Sequence, residues 1–192
     1  MERVKIGNLE VLLLLLYCSR NKLILGRMRL ANLLFIVSRE IFSQDFEIEK
    51  SEVIPYKKSS YSLDFTNVIN LAIDNNFIDV LDNDKFVLTD KGLEVVENEL
   101  LKTAEMKTIL EKIRETMRIF EDVSKDILLS YAYLKYPNHL NDKFEVKETV
   151  FNILEMNLLD FNNIARKLRI TEKTLEAELK KARKETLRKI FK

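Results

Sequence analysis

The stretch FIDVLDNDKFVLTDKG, residues 77–92, is the part of the chain that most constrains the fold. Two short β-prone runs, Phe77-Ile78-Asp79-Val80 and Phe86-Val87-Leu88, flank the turn-rich segment Asp82-Asn83-Asp84, and this pattern predicts a small β-hairpin. A helical pattern ending in Asn75-Asn76 precedes the hairpin, and Thr89-Asp90-Lys91-Gly92 begins another helix after it. The sequence therefore predicts the order helix, hairpin, helix.

That order is typical of a winged helix-turn-helix domain, in which the hairpin is the wing. Most such domains bind nucleic acid, although some bind only protein. Before the hairpin, apolar periodicity predicts helices over residues 8–19, 27–42 and 63–75. After it, a fourth helix is predicted from Asp90 to about Lys102. Residues 46–54 alternate weakly and predict an extended segment.

The ends and faces of these helices are predicted from single residues. Asn8 is the expected N-cap of the first helix, and Ser62 is the expected cap of the third. Arg39 and Glu40 are expected on the outer face of the second helix.

The run Val11–Leu16 is too short to span a membrane, which needs roughly 20 apolar residues. It therefore predicts a helix that is buried on nearly all sides.

Composition is typical of a soluble, mainly helical protein. Hydrophobic residues make up 46% of the 192-residue chain and charged residues 33%, with only 3 Gly and 2 Pro. One Cys, Cys18, and one His, His139, exclude a disulfide framework and a zinc cluster, and they favour a cytoplasmic location. The chain has no Gly-rich phosphate loop and no nucleophile motif. We therefore expect neither an enzyme nor a bound cofactor or metal.

Several spaced motifs carry a resemblance to a known group. They are Arg27-x-Arg29-Leu30-x-x-Leu33-Leu34-Phe35, Pro55-Tyr56-x-x-x-x-Tyr61-Ser62, Asn76-Phe77-Ile78 and Phe86-x-Leu88-Thr89-x-Lys91-Gly92. The chain resembles prokaryotic winged-helix proteins related to Panacea-type antitoxin domains, together with uncharacterised archaeal winged-helix proteins. The resemblance covers about residues 8–100. It implies a role in transcription control, in toxin neutralisation or in a defence system.

The expected recognition helix, residues 63–75, offers few groups that would bind DNA. Its outward candidates include no Lys or Arg; they are Asp64, Thr66, Asn67, Asn70, Asp74 and Asn75. Carboxylates oppose the phosphate contacts on which DNA affinity depends, although Asn67 and Asn70 could pair with adenine. Lys57 and Lys58 precede the helix, and Arg27 and Arg29 are in reach if the second helix packs close. A scaffold or partner-binding role is therefore favoured for this part alone.

Residues 104–135 follow a heptad pattern that predicts one long amphipathic helix ending before Pro137. The seam is Met106, Leu110, Ile113, Met117, Phe120, Ser124, Ile127, Tyr131 and Leu134. Such a seam favours a coiled-coil contact in a homodimer. The alternative is that the seam packs against the chain's own first and last helices.

The last third of the chain predicts a second helix-turn-helix. Ile164, Ala165, Leu168, Ile170, Leu175 and Leu179 fit its buried positions, and Thr171 fits the cap of the second helix. Residues 164–192 contain eleven Lys and Arg against four Glu, a net charge of +7, so residues 1–163 carry −6. This asymmetry points to duplex DNA or to an acidic partner. The alternative is a solvated helix with i,i+4 ion pairs such as Glu176–Lys180.

Together these patterns predict a mainly α protein in three parts: a winged-helix domain at residues 1–103, the long helix at 104–137 and a basic helical segment at 138–192. We expect a cytoplasmic, dimeric transcription regulator that binds double-stranded DNA and no membrane. The predicted DNA-binding residues are Arg166, Lys167, Arg169, Thr171, Lys173, Thr174 and Lys180, with Lys57 and Lys58. The alternatives are a protein-interaction module that binds a co-encoded partner as an antitoxin or adaptor, or a winged-helix protein with no nucleic-acid role.

Overall fold

The computed structural model describes residues 5–42, 47–48, 63–82 and 84–136. These residues form a mainly helical body with a small three-stranded antiparallel sheet, so the predicted mainly α class is confirmed. The described helices are α1 (Asn8–Cys18), α2 (Arg27–Phe42), α3 (Leu63–Asp74), α4 (Asp90–Asn98), α5 (Ala104–Phe120) and α6 (Lys125–Lys135). Short 3-10 turns occupy Arg20–Lys22 and Leu100–Lys102.

The first four helices lie close to their predicted positions, but the predicted Asn8 N-cap is wrong. Gly7 holds the N-cap position in extended backbone, and Asn8 is the first helical residue with its side chain buried. After the hairpin, Thr89 is the N-cap of α4. Its hydroxyl accepts a hydrogen bond from the Gly92 amide at 3.0 Å. Ser62, the expected cap of α3, lies outside the described residues.

The sheet joins the predicted hairpin to a strand that the sequence did not predict. Its order is β2 (Leu23–Leu25), β5 (Lys85–Leu88) and β4 (Ile78–Leu81), antiparallel throughout. The Gly26 amide donates to the Asp84 carbonyl at 2.8 Å, which fixes the end of β2 against the hairpin turn. A separate parallel pair joins β1 (Lys5–Ile6) to β3 (Glu47–Ile48), within the region predicted to be extended.

Helix α1 is the centre of the core, as its apolar run predicted. All six side chains of Val11–Leu16 are buried, because α2, α3, α4 and α5 pack around the helix. Ile24, Phe86, Leu88 and Ile78 contribute the inner face of the sheet to the same core. No helix in the described ranges combines the length and the apolar character that a membrane span requires.

The single long helix predicted over residues 104–135 is instead two helices. Helix α5 ends at Phe120, and α6 begins at Lys125 after a turn. Ser124, the one polar position of the heptad seam, is the N-cap of α6, and its hydroxyl accepts from the Ile127 amide at 3.3 Å. Serine bonds local backbone in this way and so favours a helix start over a helix interior.

Side chains from the N-terminal half hold this turn in place. Arg29 Nη1 donates to the Val123 carbonyl oxygen at 2.7 Å, and the Arg20 guanidinium lies 3.3 Å from the Asp122 carboxylate. The backbone amide of Arg20 also donates to the carboxylate of Glu121. These bonds tie the turn between α5 and α6 to α2 and to the 3-10 turn that follows α1.

The heptad seam packs inside the chain's own core. Its described apolar members Leu110, Ile113, Met117, Phe120, Ile127 and Tyr131 are buried, and Met106 is partly buried, whereas Ser124 is exposed. They contact α1 and α2, so the first helix is a partner, as one of the two sequence interpretations expected. The expected last helix lies outside the described residues.

Candidate nucleic-acid interface

The nine predicted DNA-binding residues lie outside the described part of the chain. They are Lys57, Lys58, Arg166, Lys167, Arg169, Thr171, Lys173, Thr174 and Lys180. The described candidate surface is therefore the one formed by α3, by the hairpin of β4 and β5, and by the N-terminus of α2. This is the surface on which a winged-helix domain would present its recognition helix and its wing.

Helix α3 has a clear inner and outer face. Phe65, Ile69 and Ala72 are buried against the core, where α3 packs on α1. The outer face exposes the side chains of Asn67, Asn70, Leu71, Asp74 and Asn75, and Thr66 is half-buried. The predicted outward set is thus largely confirmed, while the side chain of Asp64 lies outside the described set. The face offers amide groups and one carboxylate, with no cation of its own.

Two neighbouring cations reach α3. Arg27 Nη1 donates to Asn70 Oδ1 at 3.4 Å, and the guanidinium lies 5.7 Å from the centre of the Phe86 ring. Lys91 Nζ donates to the Asn75 carbonyl oxygen at 3.0 Å, near the negative end of the helix dipole. Both groups are held by the protein in positions that would allow a further contact to an acidic group.

Arg29, the other arginine expected near α3, faces the opposite way. Its guanidinium bonds the Val123 carbonyl in the turn between α5 and α6, and burial lowers its pKa. The expectation that both arginines reach α3 is therefore correct for Arg27 and wrong for Arg29. Residues 27 and 29 of one helix lie about 200° apart around its axis, so their side chains leave the helix on different sides.

Carboxylates dominate the charge of this region. Residues 63–99 contain nine Asp and Glu against two Lys, a net charge of −7. Asp79 on β4 and Asp82 and Asp84 in the hairpin turn are exposed, while Lys85 is only half-exposed. Exposed carboxylates repel DNA phosphates, so the charge of this described surface opposes direct contact with a duplex.

The outer face of the sheet carries four aliphatic side chains together with one lysine and one aspartate. The register aligns Leu25, Lys85 and Leu81 in one row across the three strands, with Leu23, Val87 and Asp79 in the next row of the same face. Leu25 is 51% exposed and Leu81 49% exposed. Strand β2 was not predicted, although the apolar run Leu23–Leu25 lies between the turn-forming residues Asn21 and Gly26. Both of these residues have a positive φ in the structure.

A second polar cluster lies at the far end of α2 and was not predicted. Glu40 Oε1 accepts from Tyr131 Oη at 2.9 Å, from Lys135 Nζ at 2.5 Å and from Tyr136 Oη at 2.6 Å. Glu40 was expected on the outer face of α2, but its side chain is only 26% exposed because α6 packs alongside. Arg39, expected outside as well, is half-buried with its guanidinium 5.5 Å from the centre of the Phe35 ring.

The electrostatics of this cluster make it a structural clamp. Burial alone would raise the pKa of Glu40, but hydrogen bonds from Lys135 and Tyr136, the charge of Lys135 and the bond from Tyr131 together lower it. Burial and the same carboxylate raise the pKa of both tyrosines. The carboxylate is therefore fixed in its charged form by three donors and ties the end of α2 to the end of α6.

Within the described residues, no group of three or more His, Cys, Asp or Glu side chains is arranged to hold a metal ion. Comparison of the chain with protein-family models, with curated proteins and with solved structures finds no match.

Proposed function

We propose that this chain is a double-stranded-DNA-binding protein that acts as a transcription regulator, and that its DNA contact is made by the basic segment, residues 164–192. One observation carries the proposal: cations are gathered in that segment at a net charge of +7, while residues 63–99 carry −7. Duplex binding depends on cations that neutralise phosphates, so only the first of these two regions is suited to it.

The proposed body is a winged-helix domain whose wing does not approach DNA. The element order α1, β2, α2, α3, β4, β5 supports this, as does the pairing of β2 with β5 beside the hairpin. A strand before the helix-turn-helix that pairs with the wing is typical of winged-helix domains. The carboxylates of Asp79, Asp82 and Asp84 oppose its approach to phosphates.

In this proposal Arg166, Lys167, Arg169, Lys173 and Lys180 contact phosphates, and Thr171 and Thr174 begin the helix that enters the groove. Lys57 and Lys58, just before α3, add phosphate contacts if the body approaches the duplex. Phosphate contacts release counterions, so affinity for DNA should fall steeply as salt is raised.

The test is a gel shift of the full chain on a fragment of its own promoter over a range of salt concentrations. The double variant Arg166→Gln/Lys167→Gln should weaken binding by roughly tenfold and reduce the salt slope by about 2. The matched control, Lys102→Gln/Lys107→Gln, removes the same charge from exposed sites of the body and should leave binding unchanged. Equal effects of the two variants, or no shift at low salt, would overturn the proposal.

A homodimer and a cytoplasmic location belong to the same proposal. Two-fold symmetric proteins commonly read duplex operators, and the one Cys of the chain fits a reducing compartment. Because the heptad seam is buried in the chain's own core, the dimer has to use another surface. Sedimentation equilibrium tests this, since a dimer has twice the chain mass of 22.7 kDa.

The second candidate is a protein-interaction module, such as an antitoxin or an adaptor, that binds a co-encoded protein. The scarcity of cations on α3 and the hairpin favours it. Tight binding to the product of a neighbouring gene, measured by calorimetry with purified proteins, together with no shift of promoter DNA, would replace the first proposal with this one.

A further inference from the structure

The turn between α5 and α6, residues 121–124, interrupts a sequence that would otherwise continue as one helix. It contains neither Gly nor Pro, and the heptad spacing of apolar residues runs across it. Glu121 still has helical dihedral angles, φ −60° and ψ −38°, and its amide donates to the Met117 carbonyl at 2.8 Å. Ser124, with φ −61° and ψ 153°, is extended. A change of the backbone within these few residues would therefore join α5 and α6 into one helix.

Contacts from distant parts of the chain hold the bent form. Arg29 donates to the Val123 carbonyl at 2.7 Å, and Arg20 pairs with Asp122 at 3.3 Å. The side chains of this ion pair are 68% and 79% exposed, so the pair contributes little to stability. The Ser124 cap favours the start of a second helix. The bend thus depends on a small set of polar contacts at the turn and on the packing of α6.

Helix α6 packs on α2 and touches the end of α5. Its side chains Ile127, Leu128 and Tyr131 are buried. The rings of Phe120 and Tyr131 are 4.7 Å apart between centroids. In one continuous helix, residues 120 and 131 would lie roughly 16 Å apart along the axis, since each residue adds about 1.5 Å. Straightening the turn therefore removes α6 from its own α2 and uncovers the apolar faces of both helices.

We propose that α6 is exchanged between two copies of this chain, so that the α6 of each copy covers the α2 of the other. A second copy is the occupant that these faces require, because it carries the same α6 and the same face of α2. The bond of Lys135 to Glu40 and the contact of Tyr131 with Phe120 then form between copies instead of within one. Exchange of an identical element is a low-cost route to a dimer, because the packed interface is retained and only the turn changes.

The exchanged dimer uses the face of α2 that α6 covers, and it does not pair two heptad seams with one another. Helix α5 stays on its own body, so Ile113 keeps its environment within the chain. The contacts that differ between the bent and the exchanged form are those of Arg20, Arg29 and Ser124 at the turn. The inference goes beyond DNA binding, because it concerns how two copies associate and does not depend on what residues 164–192 bind.

Sedimentation equilibrium over a wide range of protein concentration measures the dissociation constant of the dimer. Ser124→Ala removes the cap of α6 and adds a stronger helix former, so it should lower this constant by about tenfold. Thr103→Ala is the matched control, since the Thr103 hydroxyl caps α5 in the same way, 3.2 Å from the Met106 amide and away from the turn. It should leave the constant unchanged. Monomers at every concentration, for both the unmodified chain and Ser124→Ala, would refute the exchange.

Lys125→Pro tests the opposite change. Lys125 is the first residue of α6 and follows an extended residue, which is the backbone that proline accepts. In a continuous helix the same proline would lie in the interior, where it removes a hydrogen bond and clashes with the preceding turn. The variant should therefore keep the bent monomer and raise the dissociation constant by at least about a hundredfold. Ala104→Pro, at the first residue of α5, is the control and should leave the constant unchanged. Circular dichroism at low concentration checks that both variants retain their helical content.

Chemical crosslinking of the unmodified chain locates the exchange without any substitution. A carbodiimide joins the Lys135 amine to the Glu40 carboxylate, which are 2.5 Å apart. Light chains and chains labelled with heavy isotopes are mixed at high concentration, and monomer and dimer are separated before mass spectrometry. The dimer should yield Glu40–Lys135 peptides with one light and one heavy half, and the monomer only peptides of a single label. A dimer whose peptides all carry a single label, or one that Lys125→Pro does not weaken, forms through another surface and would overturn the proposal.

Discussion

Glu40 is the side chain on which the contact between α2 and α6 depends most directly. It accepts hydrogen bonds from Tyr131, Lys135 and Tyr136, and Tyr131 is only 1% exposed. Glu40→Ala removes the shared acceptor of two part-buried hydroxyls and an ammonium, so we expect the free energy of unfolding to fall by about 2–3 kcal/mol. Urea denaturation measures this. Glu94→Ala, at an exposed site on α4, is the control and should change it by less than about 0.5 kcal/mol.

The same carboxylate predicts how stability depends on pH. The folded protein holds the pKa of Glu40 below its ordinary value of 4.5, so the charged form stabilises the fold. That contribution is complete above the unfolded value and is lost as pH falls through the folded one. Between pH 6 and pH 3 the unmodified chain should therefore lose more stability than Glu40→Gln, which has no charge to lose. Urea midpoints that change in parallel would show that Glu40 does not contribute.

Cys18 should be a slow nucleophile. Its thiol lies within 3.9 Å of the Leu110 carbonyl, and burial raises its pKa to about 11. Compared with an ordinary thiol of pKa 9.0, roughly 100-fold less thiolate is then present at pH 8. The folded chain should react with a disulfide reagent at least that much more slowly than the chain unfolded in guanidinium. Comparable rates would mean that the thiol is open to solvent.

At the scale of the elements, Gly92 decides how closely α4 approaches the hairpin. A Cβ at this position would overlap the carbonyl oxygen of Phe77, which already accepts from the Thr89 amide at 3.1 Å. Gly92→Ala should lower the free energy of unfolding by about 2–4 kcal/mol, because backbone would have to move. At Gly7 the Cβ would meet only the flexible side chain of Glu10, so Gly7→Ala should cost less than about 1 kcal/mol. Thermal unfolding of both variants tests the difference.

The elements that the sequence predicted well are those whose signal is local. Helix α2 has its predicted bounds, and the hairpin and α4 are specified by a turn and by the Thr89 cap within a few residues. The break at Ser124 was missed because the heptad spacing continues across it. The turn that ends α5 is bonded by Arg20 and Arg29, which lie about 90–100 residues earlier in the sequence. Contacts between residues so far apart do not change the spacing of apolar residues, so the sequence pattern does not reveal them.

At the scale of the whole molecule, the sequence predicted the separation of charge but not where each charge lies. The acidic character of the hairpin can be counted directly. The grouping of Leu23 and Leu25 with Val87 on the outer face of the sheet depends instead on the pairing of β2 with β5, about 60 residues apart. Glu40 illustrates the same limit, because its three donors lie more than 90 residues away. The predicted DNA-binding residues lie outside the described part, so that prediction stays untested.

The buried heptad seam yields a prediction that separates a folded monomeric core from a coiled-coil dimer. Ile113 is 0% exposed within the chain, so Ile113→Ala should lower the free energy of unfolding by about 2–5 kcal/mol at any protein concentration. Glu115→Ala, exposed on the same helix, should have little effect. If the seam joined two chains, the urea midpoint would rise with protein concentration, and Ile113→Ala would abolish that rise. A loss of stability in Ile113→Ala that is the same at every protein concentration assigns the seam to the core and leaves any dimer to another surface.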